Sequence, residues 1–184
     1  METDLSLLDA ARKLDQNALV AIFDRYATEL YNYALRIWED PLRADHAVGN
    51  VFTNFLEQLA TGKEPQTNIR SHLYKIAYQF IVNEPQFSRH ETTLSLVDFG
   101  PDDGNGYHAT VSNPKDKELA DIAIDVIKKH LTADQRHVIV LHYWEGFSLL
   151  ETAEIVGKRA NNVKAIQKRA IAKLCKVLDH GVSV

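Results

Sequence analysis

The side chains with the clearest chemistry lie between Ser148 and Leu178, in SLLETAEIVGKRANNVKAIQKRAIAKLCKVL. On a period of about 3.6 residues Asn161, Lys164, Ala165 and Lys168 share one face of a helix, just after Lys158 and Arg159. Cations in such a row can neutralise phosphates, a recognition chemistry that makes and breaks no covalent bond. Val163, Ile166, Gln167, Ala170, Leu174 and Val177 fall on the opposite side and form an inward stripe. A capping box, Ser148 with Glu151, opens a preceding helix that should end near Gly157. Lys158, Arg159 and Ala160 then make the turn, and Asn161 is placed to cap the second helix. Two helices so joined are a helix-turn-helix, whose second helix enters a major groove N-terminus first. A helical hairpin with a solvated basic face satisfies the same periodicity, so this stretch alone leaves both readings open.

The rest of the chain must position that stretch. With 184 residues, 45% of them hydrophobic, there is enough material for one domain or two small ones. The longest apolar runs, such as Val138 to Leu141, are far too short to cross a bilayer. The start METDLSLLDA lacks the basic beginning and apolar centre of a signal peptide, so a cytoplasmic protein without membrane insertion is expected. Cys175 is the only cysteine, which rules out an intramolecular disulfide and agrees with a reducing compartment. The net charge of −4 is unevenly spread. Residues 1–90 carry 9 Lys+Arg against 12 Asp+Glu, residues 91–114 carry none against 4, and residues 115–184 carry 12 against 9. Positive charge therefore collects around the helix-turn-helix, at a level that predicts weak, salt-sensitive DNA affinity for this half alone.

In chain order, a polar start leads to Leu19, Ile22, Phe23, Tyr26, Leu30, Tyr33, Ala34 and Ile37 on helical spacing, with Thr28 as a candidate break. Asp40 and Pro41 stop that helix and cap the next, whose stripe is Ala47, Val48, Val51, Phe52, Phe55, Leu56 and Leu59, ending near Gly62. A loop from Thr61 to Thr67 leads to a third helix from about Asn68 to Asn83, which Pro85 should end. From Gln86 to Asn113 the helical period disappears, and GPDDGNG marks a flexible acidic linker. Asn113 and Pro114 restart helix, with Leu119, Ile122, Ala123, Val126 and Ile127 as its stripe. Thr132 with Gln135 is a second capping box, opening a helix through a β-branched run to Trp144, which Gly146 ends. The fold class predicted is all-α: two small helical domains, 1–85 and 114–184, joined by a flexible linker over 86–113.

This order of elements resembles the bacterial RNA polymerase sigma factors of the extracytoplasmic-function group. LTADQRHVIVLHYWEGFSLLETAEIVGKRANNVKAIQKRAIAKL, from Leu131 to Leu174, resembles the family's fourth conserved region. ALVAIFDRYATELYNYALRIWEDPLRADHAVGNVFTNFLEQL and IRSHLYKIAYQF resemble its second. The resemblance implies a transcription initiation factor with no covalent chemistry and no cofactor. Its first domain would dock on core RNA polymerase and read and open the promoter minus-ten element. Its second would read the minus-thirty-five element in double-stranded DNA, and an anti-sigma protein is a further candidate partner.

Carried over position by position, the upstream-element set is Lys158, Arg159, Asn161, Asn162, Lys164, Lys168 and Arg169. The amides of Asn161 and Asn162 can pair with adenine edges, and Lys164 and Lys168 are one turn apart, where a guanine or successive phosphates could lie. For the minus-ten element the resemblance implies Arg70, Tyr74, Lys75, Tyr78 and Gln79, with Gly62 to Asn68 as the pocket for a flipped base. Opened strands need aromatic faces for bases and cations for the backbone, and this segment has both. Packing of Tyr74 and Tyr78 against a neighbouring helix accounts for them equally well. Polymerase docking falls to Asp45, His46 and Asn50.

The chain departs from the family pattern in places. Asp45, His46, Gly49 and Asn50 stand where the family carries acidic and glutamine-glutamate pairs, and His72 replaces a frequent tryptophan. NEPQFSRH at 83–90 replaces an arginine-rich run and leaves fewer cations for minus-ten binding. Gln167 and Thr152 replace a usual leucine and isoleucine and are expected to loosen packing. Against an enzyme, the chain has no HExxH, paired CxxC, phosphate loop or nucleophile elbow. His137 and His142 are five apart and do not stack as metal ligands on one helix face, so no metal site is expected. A helix-turn-helix regulator that binds DNA without joining a polymerase is the alternative, and the first ninety residues argue against it.

Overall fold

The computed structural model describes residues 3–63, 65, 68–84 and 123–181. The expected linker, the helix restart at Asn113 and Pro114, Pro85 and part of the 62–68 loop lie outside the described residues. Every regular element that is described is a helix, which agrees with the all-α expectation.

The first half builds on a long helix. A short α1 (Asp4–Ala11) precedes α2 (Gln16–Trp38), α3 (Pro41–Thr61) and α4 (Ile69–Asn83). The residues of α1 were expected only as a polar start, and they form a helix. Thr3 caps it, and Leu7, Leu8 and Ala11 bury its single apolar edge. Tyr26 of α2 donates its hydroxyl to Asp4 at 2.6 Å, and burial with that carboxylate pushes the phenol up to about 12. Thr28 does not break α2, because Tyr26, Ala27, Leu30, Tyr33 and Ala34 keep one buried stripe running past it. Asp40 caps α3 by accepting from the amides of Leu42 and Arg43, with Pro41 as the first helical residue. Gly62 ends α3 in the left-handed conformation, and Asn68 caps α4.

The second half continues as α5, described over residues 123–130, then α6 (Ala133–Ile139), α7 (Leu149–Ile155) and α8 (Ala160–Gly181). Both predicted capping boxes form, Thr132 with Gln135 and Ser148 with Glu151. The β-branched run is helical, but Val140–Trp144 widens into a π-helical turn. There the amide of Glu145 bonds the carbonyl of Val140, five residues back. Such turns are rare, and they tend to reposition side chains at sites of use.

Packing joins the halves. One cluster of buried side chains holds Ile22, Leu30, Phe55 and Leu73 together with Val138, Leu141, Ile155 and Val163. A smaller one, Ile127, Leu131, Ile139 and Ala170, ties α5 and α6 to α8. Fully burying each such side chain contributes about 1.5–3 kcal/mol, so the shared cluster is a substantial source of cohesion between the halves.

Gly49 has no positive-φ or close-approach reason to be glycine. It sits exposed within α3, and a Cβ built there would meet nothing within 4 Å. Gly49→Ala is therefore expected to stabilise the protein by about 0.5–1 kcal/mol, by lowering the entropy of the unfolded chain. Urea denaturation monitored by far-ultraviolet circular dichroism would show it, and an unchanged or lowered midpoint would refute it.

Candidate nucleic-acid interface

Helix α8 is set by its neighbour. Ser148 and Glu151 close the cap of α7 reciprocally, at 2.9 and 3.2 Å, and those bonds hold the Glu151 carboxyl below its usual range. Gly157, at φ +63°, then turns the chain in the left-handed region that an ordinary side chain resists. The first bonds of α8 run from the Asn162 and Val163 amides to the Arg159 carbonyl, at 2.9 and 3.1 Å. This corrects one local expectation, since Asn161 lies inside the first turn of α8 and does not cap it.

The two faces of α8 fall where the periodicity puts them. Val163 and Ala170 are buried and Ile166, Gln167, Leu174 and Val177 half-buried, while Asn161, Asn162, Lys164, Lys168 and Arg169 are exposed. Arg159 is exposed at the turn, and Lys158 is half-buried and pairs with Asp134 at 3.0 Å. Hydrogen bonding to that carboxylate raises the Lys158 ammonium, so it is occupied where the others face water. Arg169 donates from Nε to the Ala165 carbonyl at 3.2 Å. The unusual residues are satisfied: Gln167 donates to the Tyr143 hydroxyl at 3.0 Å, and buried Thr152 donates to the Ser148 carbonyl at 2.9 Å.

The α4 set divides by face. Lys75 and Gln79 are exposed, whereas Arg70, Tyr74 and Tyr78, spaced by four, turn toward the second half. Arg70 donates from Nε to Glu29 at 2.8 Å and from Nη2 to the backbone carbonyl of Glu145 at 2.8 Å. Its guanidinium also lies 4.3 Å from the centre of the Phe147 ring. Tyr74 is fully buried and donates its hydroxyl to Glu145 Oε2 at 2.6 Å. Tyr78 is half-buried, with its ring 4.9 Å from that of His137, edge to face.

Glu145 was not singled out from sequence, yet it is the hub of this contact. It is 8% exposed, and its Oε1 accepts from Arg36 Nη1 at 2.7 Å. Burial raises its carboxyl, against the pull of Tyr74, Arg36 and Arg70. The only local signal was an acid at a helix C-terminus, where the helix dipole disfavours it. Beside it, buried His137 meets the Tyr33 hydroxyl at 2.8 Å through Nδ1, and burial lowers this imidazole to about 4. The ring is thus neutral, and the natural assignment has the phenol donating and Nε2 carrying the proton.

On α3, Asp45 and His46 are exposed, and partial desolvation raises the Asp45 carboxyl. His46 stacks edge to face on Phe80 at 5.6 Å. Half-buried Asn50 lines a groove between α3 and α4 with Asn54, Gln79 and Phe80. His72 is half-buried and burial lowers its imidazole; its Nε2 lies 2.6 Å from Gln58 Oε1, an amide oxygen to which it can only donate. Among the described residues no group of three or more His, Cys, Asp or Glu could hold a metal ion, and no helix is long and apolar enough to cross a membrane.

Comparison with known proteins bears on this geometry. The family described as Sigma-70, region 4, matches residues 129–176, from the end of α5 through most of α8. The extracytoplasmic-function RNA polymerase sigma factor BldN of Streptomyces coelicolor is 21% identical over 174 residues, which are 95% of this chain. The chain spans 65% of that protein's length. Among solved structures, CnrH in complex with the cytosolic domain of CnrY aligns over 97% of this chain and 99% of its own, with a TM-score of 0.73 at 21% identity. The sigma factor RpoE bound to the anti-sigma factor NepR, from Bartonella quintana, aligns over 88% and 96%, with a TM-score of 0.58 at 18% identity. At these identities the two structures speak to the fold.

Proposed function

We propose that the chain is an extracytoplasmic-function sigma factor, a transcription initiation factor that acts without chemistry of its own. It docks on core RNA polymerase in the cytoplasm and directs the enzyme to promoters with two elements. The observation that carries this reading is the exposed set Asn161, Asn162, Lys164 and Lys168 at the start of the second helix of a helix-turn-helix whose first helix opens on a reciprocal capping box. Residues 114–184 take the upstream element in the major groove, with Arg159 and Arg169 on its phosphates and Lys158 joining them when it leaves Asp134. Residues 1–85 take core polymerase and the minus-ten element, and 86–113 link the two.

Lys75 and Gln79 are exposed for the minus-ten element, and Arg70, Tyr74 and Tyr78 join them once the second half moves aside. Aromatic rings and cations on one helix suit melted bases and their backbone. The likeness to BldN along nearly the whole chain disfavours a stand-alone regulator. RpoE's partner is an anti-sigma factor, and by that analogy this chain takes one too.

Runoff transcription with purified core polymerase on genomic fragments tests the proposal. Start sites preceded by two shared elements are the expected result, and DNA binding with no core-dependent transcription would refute it. Asp45→Ala combined with Asn50→Ala is expected to weaken core binding by about 1 kcal/mol, read by fluorescence titration, while leaving upstream-element binding intact. Core affinity equal to the parent's would remove both from the docking surface.

A further inference from the structure

We infer that this chain closes on itself through an autoinhibitory clasp, in which the Glu145–Phe147 segment covers the Arg70, Tyr74 and Tyr78 face of α4. The inference rests on the proposed use of that face against promoter DNA. The contact is built as an anion site filled from within the chain. Arg36, Arg70 and Tyr74 converge on Glu145: Arg36 on Oε1, Tyr74 on Oε2 and Arg70 on the backbone carbonyl, at 2.7, 2.6 and 2.8 Å. These donors suit a phosphate equally, and Glu145 stands where one would lie. Phe147, 3% exposed, closes the same face, stacking under Arg70 and edge to face on Tyr74 at 4.8 Å.

The clasp is reinforced beyond these three groups. Arg136 of α6 donates to the Ile37 carbonyl at 3.4 Å, and Lys128 of α5 pairs with Glu39. His137 holds Tyr33 while Tyr78 packs on its ring. While all this stands, DNA cannot reach Tyr74 or the far face of Arg70. The recognition row on α8, by contrast, stays exposed in the closed form. The clasp therefore withholds one reading surface and leaves the other open.

Two variants of the full chain test this. Glu145→Lys sets a cation against Arg36 and Arg70, and Arg36→Met removes the partner of Oε1 without touching α4. Both are expected to stay helical by circular dichroism and to scatter X-rays as a more extended particle than the parent. Both should also bind a fluorescent mixed-sequence single-stranded DNA of about 12 nucleotides more tightly, roughly tenfold if the closed form outweighs the open by ten to one. Adding Arg70→Ala to Glu145→Lys should remove that gain. The clasp is overturned if both helical variants scatter like the parent, if they open without gaining affinity, or if the gain survives Arg70→Ala. Should the parent fail in runoff transcription, the proposed function falls, while the scattering and binding still decide the clasp.

Discussion

Replacing Lys164 or Asn162 by alanine is expected to weaken binding to the cognate upstream element by about 1–3 kcal/mol, roughly 5- to 150-fold in affinity. Both side chains are exposed on the first turns of α8, the part of a recognition helix that reaches base edges. Their chemistry differs in a way the experiment can resolve. An asparagine amide offers a donor and an acceptor together and matches an adenine edge, so Asn162→Ala should relax preference at one base pair. A lysine on guanine would do the same, whereas a lysine on phosphate would lower affinity evenly across sequences and reduce the salt dependence. Lys173, exposed two turns beyond Lys164 and further from the helix start, serves as the control, and Lys173→Ala should change little. Titrations of the holoenzyme on promoters varied one base pair at a time would read all three. Unchanged promoter selection in both the Lys164 and Asn162 variants would remove these residues from the reading surface.

Acidification is expected to cost the folded chain about 2 kcal/mol between pH 7 and pH 5, through His137. Its folded value of about 4 lies below the ordinary value of 6.5. Above pH 6.5 the imidazole is neutral folded or unfolded, and its titration contributes nothing to the balance. Below that the unfolded chain takes up a proton that the buried ring refuses, so stability falls at about 1.4 kcal/mol per pH unit until the folded value is reached. Protonation would also turn Nδ1 into a donor facing the Tyr33 hydroxyl, with Arg136 nearby opposing the charge and Asp134 favouring it. Glu145 acts in the opposite sense. Its carboxyl is raised by burial, so the folded state takes up that proton more readily than the unfolded chain, which offsets part of the loss at low pH. Urea denaturation at pH 7 and pH 5 gives the difference. His137→Leu should flatten it, and a wild-type curve independent of pH across this window would contradict the assignment.

Much of the fold was legible because its signals are local. Asp40 before Pro41, Gly62, and the two capping boxes each satisfy orphan backbone groups within four residues, so their spacing alone marks where helices begin and end. The basic and apolar faces of α8 were equally plain, since a 3.6-residue period depends on nothing outside the helix. Failures were of two kinds. Short α1 was passed over because only Leu7, Leu8 and Ala11 are buried in it, too few for a period to stand out from a polar start. Asn161 carries a capping side chain that Arg159 lacks, so local chemistry favours it as the cap, whereas the turn after Gly157 starts the helix from Arg159.

Apart from α1, the amino-acid sequence by itself determined which of the described segments are helices, which face of each long helix is apolar, and that cations and amides gather on the outer face of α8. Only the tertiary structure decided what α4 touches. Arg70, Tyr74 and Tyr78 looked alike with Lys75 and Gln79 as a DNA-facing set, and the packing of α4 on the Glu145–Phe147 segment divides them. That partner lies 71 residues from Tyr74 in the chain, and Glu145 reads locally as a solvated acid at a helix end. Its burial is tolerated only because Arg36, Tyr74 and Arg70 converge on it from two other helices, and no spacing along one chain segment encodes that convergence.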